Sequence, residues 1–165
     1  MMAPLHRLIE SLRNELQQYG EMLALLEQQR QAVIQQGAED VLHSISSINA
    51  QSRVLDKARQ IREDALSKLG RDLQQPDGST FGHLIPLLPD PFRPLVTALV
   101  QENNALLQSV RQRAEQNHRL LQRSLDFMRD FISNLSLEGC PLLRLDGPGP
   151  SPSSPDPDNR HEAMV

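Results

Sequence analysis

Proline decides where this chain can be helical. The 12 prolines sit at Pro4, between Pro76 and Pro94, and from Pro141 onward, so none lies in 5–75 or 95–140. A proline inside a helix costs about 3 kcal/mol, so the two gaps are where long helices can run. The expected fold is all-α. A long antiparallel hairpin over 4–70 leads through a linker at 71–90 to a long third helix over 91–137, an elongated three-helix bundle or coiled coil. Residues 138–165 are expected to form a disordered, proline-rich tail.

Helix 1 opens near Pro4, a tolerated first-turn residue. Its expected stripe is Leu5, Ile9, Leu12, Leu16, Tyr19, Leu23, Leu26 and Val33, with Arg30 as the one polar member. Steps alternating between four and three make a heptad seam. Gly37 is read as its C-cap, and Glu39 and Asp40 then place negative charge in the first turn of helix 2. The short turn makes the two helices antiparallel. Helix 2 is expected to bury Val41 or Leu42, Ile45, Ile48, Ser52, Leu55, Ala58, Ile61, Ala65 and Leu69, with Gly70 capping it. Helix 3 carries two heptad series: Val100, Leu107, Ala114, Leu121, Met128, Leu135, and Val96, Asn103, Val110, Asn117, Ser124, Phe131. An Asn on a seam fixes register and partner number at a cost in stability.

Residues 1–137 are almost neutral, and most of the chain's net charge of −4 belongs to 138–165. No basic excess is available to hold phosphates, so nucleic-acid binding is not expected. No stretch approaches the roughly 20 apolar residues of a membrane span, and the N-terminus lacks a signal-peptide apolar run. A soluble cytoplasmic protein without membrane insertion is the expectation. Cys140 is the only cysteine, which removes an intrachain disulfide and a cysteine-based zinc site.

Catalytic chemistry finds little footing. Glu115 and His118 have the Glu-x-x-His spacing of di-iron bundles, but that site needs a second pair and two more carboxylates. Asp40 and His43 are the nearest second copy, with Asp for Glu. The histidines are otherwise scattered, and no nucleophile elbow or phosphate-cradling loop is present. Arg53, Lys57, Arg59, Arg62, Lys68 and Arg71 make one flank of helix 2 basic, which reads as a solvated face. No enzyme activity, metal or cofactor is expected.

The stretch Asn117–Leu135 stands apart. Leu121, Met128 and Leu135 recur every seven residues, Leu120 and Phe127 flank them on one side, Leu125 and Ile132 on the other, and Phe131 widens the stripe. A coiled-coil seam needs two apolar positions per heptad. The excess is either core or a docking face for a partner or a second copy of the chain.

The pattern resembles the FlgN family of flagellar type III export chaperones. LLEQQRQAVIQQGAEDVLHSI and SRVLDKARQIREDALSKLG follow the family's hairpin. Ala114-Glu-Gln-Asn117-His-Arg-Leu120-Leu121, then Leu125, follows the motif of its last helix. The resemblance implies a cytoplasmic chaperone that binds the C-terminal segments of hook–filament junction (hook-associated) proteins and hands them to the export apparatus. It assigns partner binding to Asn117, Leu120, Leu121, Leu125, Met128, Phe131, Ile132 and Leu135. A family tyrosine ahead of an Asp-Gly, associated with docking at the export gate, is absent. Leu142, Leu143 and Leu145, before Asp146-Gly147, occupy that region. The resemblance leaves the free protein a monomer or dimer, and a self-associating coiled-coil scaffold without an export role is the alternative.

Overall fold

The computed structural model describes residues 1–137. The chain divides into two units, Met1–Leu125 and Asp126–Val165, each described by itself. The expectations for 138–165, including those at Cys140, Leu142, Leu143 and Leu145, lie outside the described residues. The elements are α1 (Met2–Ile34), α2 (Ala38–Asp72), α3 (Phe81–Leu84) with a 3-10 turn at Ile85–Leu87, and α4 (Arg93–Leu137). All are helical, and the long helices occupy the stretches where the proline map allows them.

The hairpin of α1 and α2 is antiparallel, and its pairing shows why. The amino terminus of Met1 lies 3.1 Å from Asp72. Further along, Gln51 Nε2 donates to Gln18 O at 3.0 Å and to Gln18 Oε1 at 2.9 Å. The buried side of α1 is a strict heptad pattern: Leu5, Leu12, Tyr19, Leu26 and Val33 on one line, and Leu8, Glu15, Met22 and Gln29 on the other. The first line is the expected one. The second is displaced by one residue from the expected Ile9, Leu16, Leu23 and Arg30. Ile9 is also buried, but Leu16 and Leu23 are half-buried and Arg30 is exposed. A hydrophobicity pattern passes over Glu15 and Gln29 because it does not see their partners.

Glu15 shows what such a partner does. Its side chain is 4% exposed, and Oε2 stands 2.6 Å from Arg62 Nε on α2. The contact is a charge pair rather than an aligned hydrogen bond, since Oε2 accepts none. Oε1 accepts the hydroxyl of Tyr19 at 3.0 Å. Two charges removed from water are tolerable only when paired and hydrogen-bonded in this way. Burial pushes the Tyr19 phenol above its ordinary value, the Arg59 guanidinium beside it opposes this, and the Glu15 charge adds to it.

On α2 the seam also differs from the expected one. Ser44, Gln51, Ala58 and Ala65 are buried on one line, with Leu55 and Leu69 on the next. Leu42, Ile45 and Ile61 are exposed, and so is Ser52. The expected Leu55, Ala58, Ala65 and Leu69 are thus buried, and the difference lies at Ser44 and Gln51, polar residues that a hydrophobicity pattern passes over. Gly70 is no cap. The helix runs through it to Asp72, and Leu84 Cδ1 lies 3.8 Å from where a Cβ would stand.

Both helices end in the same turn. The N–H of Gly37 reaches Ala32 O and that of Gln36 reaches Val33 O; likewise Gln75 reaches Gly70 O and Gln74 reaches Arg71 O. This is the Schellman pattern, whose left-handed residue is usually Gly. Here Gln36 (φ 56) and Gln74 (φ 54) adopt it, and Gly37, expected as the C-cap of helix 1, is instead the N-cap of α2 at φ −80.

The linker is structured. Leu84 and Leu88 are 1% exposed, and Leu88 joins Leu5, Leu8, Leu12, Leu69 and Val96 in the larger core cluster. The Arg62 guanidinium lies 6.0 Å above the Phe81 ring, tying α3 to the pair with Glu15. A second cluster holds Tyr19, Met22, Leu26 and Leu55, with Leu106, Leu107 and Val110 against it. Full burial of a leucine contributes about 1.5–3 kcal/mol, so these clusters are the main stabilisation.

Arg62→Ala leaves Glu15 buried and unpaired, and urea unfolding should show a loss of about 3 kcal/mol. Tyr19 is the single tyrosine, so its absorbance change isolates one group. In the folded protein it should titrate above the ordinary value of about 10, and in denaturant return to it. Since the folded value is the higher, the phenol's contribution is complete below about pH 10 and is lost as pH rises through the folded value.

Candidate functional site

Two asparagines join α4 to α1. Asn103 Nδ2 donates to Leu12 O at 3.0 Å and to Leu99 O of its own helix at 2.9 Å. Asn117 Nδ2 donates to Leu26 O at 2.7 Å and to Gln29 Oε1 at 3.1 Å. Both bonds to α1 span 91 residues of sequence, so the two helices run parallel. Of the two expected series on α4, Val96, Asn103, Val110, Asn117 and Ser124 form the buried or half-buried seam. Asn103 and Asn117 are 6% and 2% exposed. The Oδ1 of each accepts no hydrogen bond, a shortfall worth about 1–3 kcal/mol apiece.

Asn117 therefore faces α1 and not solvent. Later in the first unit, Leu120 and Leu121 are half-buried and Leu125 is exposed. Glu27 stands beside this stretch of α1, with Arg113 Nη1 donating to it at 3.4 Å. The hydrogen bond from Gln31 holds the Glu27 carboxyl below its ordinary range, helped by Arg30 and Arg113.

The described part of the second unit is the end of α4. Phe127, Met128 and Phe131 are 64%, 52% and 54% exposed, and Ile132 is 37% exposed. Leu135 is half-buried. At 3.6 residues per turn these five occupy about 140° of the helix circumference. Asp126, Arg129, Asp130, Ser133 and Asn134 fill the remainder. Arg129 and Asp126 approach to 3.8 Å, an exposed pair of little energetic weight. Phe127, which the resemblance did not assign to partner binding, is the most exposed of this face. Its sequence signal was its place flanking Met128 in the stripe.

The other candidate chemistry disperses. Glu115, His118, Asp40 and His43 are all exposed, and among the described residues no three metal-capable side chains lie together. No described helix is long and apolar enough to cross a membrane. One cleft of about 290 Å³ borders Glu15, Tyr19, Arg59, Arg62, Phe81 and Asn103. Its charged groups are already engaged with one another, and nothing there resembles a nucleophile with a base.

The arrangement is thus one of helix seams and a wide apolar face, the equipment of a protein that handles other polypeptides. The sequence model of the FlgN protein family matches residues 1–137, and the chain belongs to that family. Membership carries a general role as a chaperone of flagellar export. Comparison with curated proteins and with solved structures finds no match to the chain.

Exposure separates the face from the core energetically. Phe127→Ser should change the unfolding free energy by less than about 0.5 kcal/mol. Leu69→Ala, in the packed cluster, should cost about 2–5 kcal/mol. Urea titrations followed by circular dichroism measure both.

Proposed function

We propose that this chain is a cytoplasmic chaperone that binds hook-associated proteins of the flagellum through the C-terminal half of α4 and delivers them to the type III export apparatus. The observation that carries the reading is the apolar face at the end of α4, where Phe127, Met128 and Phe131 are each more than half exposed. Large apolar side chains gathered on one exposed helix face mark interaction surfaces. Leu120, Leu121, Leu125, Ile132 and Leu135 complete the docking set.

Asn117 belongs to this set as a support. Its amide anchors α4 to Leu26 and Gln29 of α1. The chemistry suits a reversible task. A cargo segment that has no partner before assembly needs its apolar side chains covered. A helix-on-groove contact covers them without forming a bond that must later be broken. The segment with Leu142, Leu143 and Leu145 is assigned to the export gate by family resemblance. The reading requires no enzyme activity, cofactor, nucleic acid or membrane insertion, and it allows a monomer or dimer when free.

Binding of purified hook-associated proteins, read by calorimetry, tests it. Phe131→Asp and Phe127→Asp should each weaken affinity about 30-fold or more, equivalent to about 2 kcal/mol, with helix content unchanged. Unchanged affinity would sink the reading. A stable dimer that Phe131→Asp dissociates, with no cargo bound, would establish the scaffold alternative instead.

A further inference from the structure

Apolar seams built on heptads do not specify their own register. Along α1 the buried line Leu5, Leu12, Tyr19, Leu26 repeats every seven residues. On α4 Val96 and Val110 stand in the same relation around Asn103. Sliding α4 along α1 by one heptad brings apolar side chains opposite apolar side chains again, about 10 Å further on. Something other than hydrophobic contact has to choose between these positions.

We propose that Asn103 and Asn117 are positioning residues that hold the first-unit part of α4 on α1 in a single register. Three observations support this. The two amides are 14 residues apart, and so are the carbonyls they reach, Leu12 and Leu26, which gives both contacts the same 91-residue span. Asn117 has a second acceptor, Gln29 Oε1, and no other glutamine lies on the buried lines of α1. A one-heptad slip one way brings Asn117 to the level of Met22. A slip the other way brings it to the level of Gln36, beyond the end of α1. Each asparagine also keeps a buried Oδ1 that accepts no hydrogen bond. A leucine in either place would strand no acceptor, so the pair secures uniqueness at the expense of stability.

The register can be measured without a partner. With Cys140 replaced by Ser, spin labels at Glu10→Cys and Gln122→Cys, both exposed positions, report the axial offset of the helices by pulsed electron paramagnetic resonance. The parent protein should give one distance. Asn103→Leu combined with Asn117→Leu should melt at the same or a higher temperature and add a second population displaced by about 10 Å. Asn103→Leu alone keeps Asn117 with Gln29 and should restore the single distance. A single unshifted distance in the double variant overturns the proposal, and so does a double variant that melts well below the parent. A parent protein with one distance that binds no hook-associated protein overturns the docking reading and leaves this one intact.

Discussion

Helix α1 has to serve two neighbours at once, and the rest of the first unit follows from how it does so. Its seam includes two polar members, each committed to a different helix. Glu15 meets Arg62 of α2, and Gln29 meets Asn117 of α4. The first pairs two charges and the second is a directional hydrogen bond, and the surrounding leucines offer neither. Apolar burial supplies most of the stabilisation, but by itself it would accept several arrangements of three helices with similar stripes. The buried polar pairs determine which neighbour takes which side and at what level.

Much of this architecture was legible from proline spacing and heptad counting. The positions of the long helices, their antiparallel start and the line through Leu5, Leu12, Tyr19, Leu26 and Val33 all came from local rules. The second lines did not. On α1, the pattern preferred Leu16 and Leu23 to Glu15 and Gln29. On α2 it preferred Leu42, Ile45 and Ile61 to Ser44 and Gln51, though it found Leu55, Ala58, Ala65 and Leu69. In each case hydrophobicity ranks a residue by what it is, whereas burial depends on what it meets. Helix ends were misread for a related reason: Gly37 and Gly70 looked like stops, while glutamines took the left-handed turns. The asparagine pair was visible as a seam feature, but its acceptors are backbone carbonyls, which a sequence does not display.

The wide stripe on α4 was visible too, and its burial changes along the helix. Up to Ser124 the seam residues are buried or half-buried against the remainder of the first unit, and Asn117 is wholly inside. Beyond it Phe127, Met128 and Phe131 are each more than half exposed. A chaperone of secreted subunits has use for both parts. The first makes the helix a fixed part of the fold, and on the proposed reading the second is the surface a client covers. Membership of the FlgN family, over residues 1–137, gives that division its biological setting.

The constant 91-residue span between α1 and α4 also constrains how such a chain can lengthen or shorten over generations. The segment between α2 and α4 enters neither asparagine contact, so residues gained or lost in an exposed part of it change loop-closure entropy only slightly. Inside α4 the rule is different. One residue inserted between Asn103 and Asn117 turns everything beyond it by about 100°. In an unbroken helix the second amide then leaves α1. Length change is therefore tolerated in the connection and not between the two asparagines, so their spacing should outlast the identity of most leucines around them.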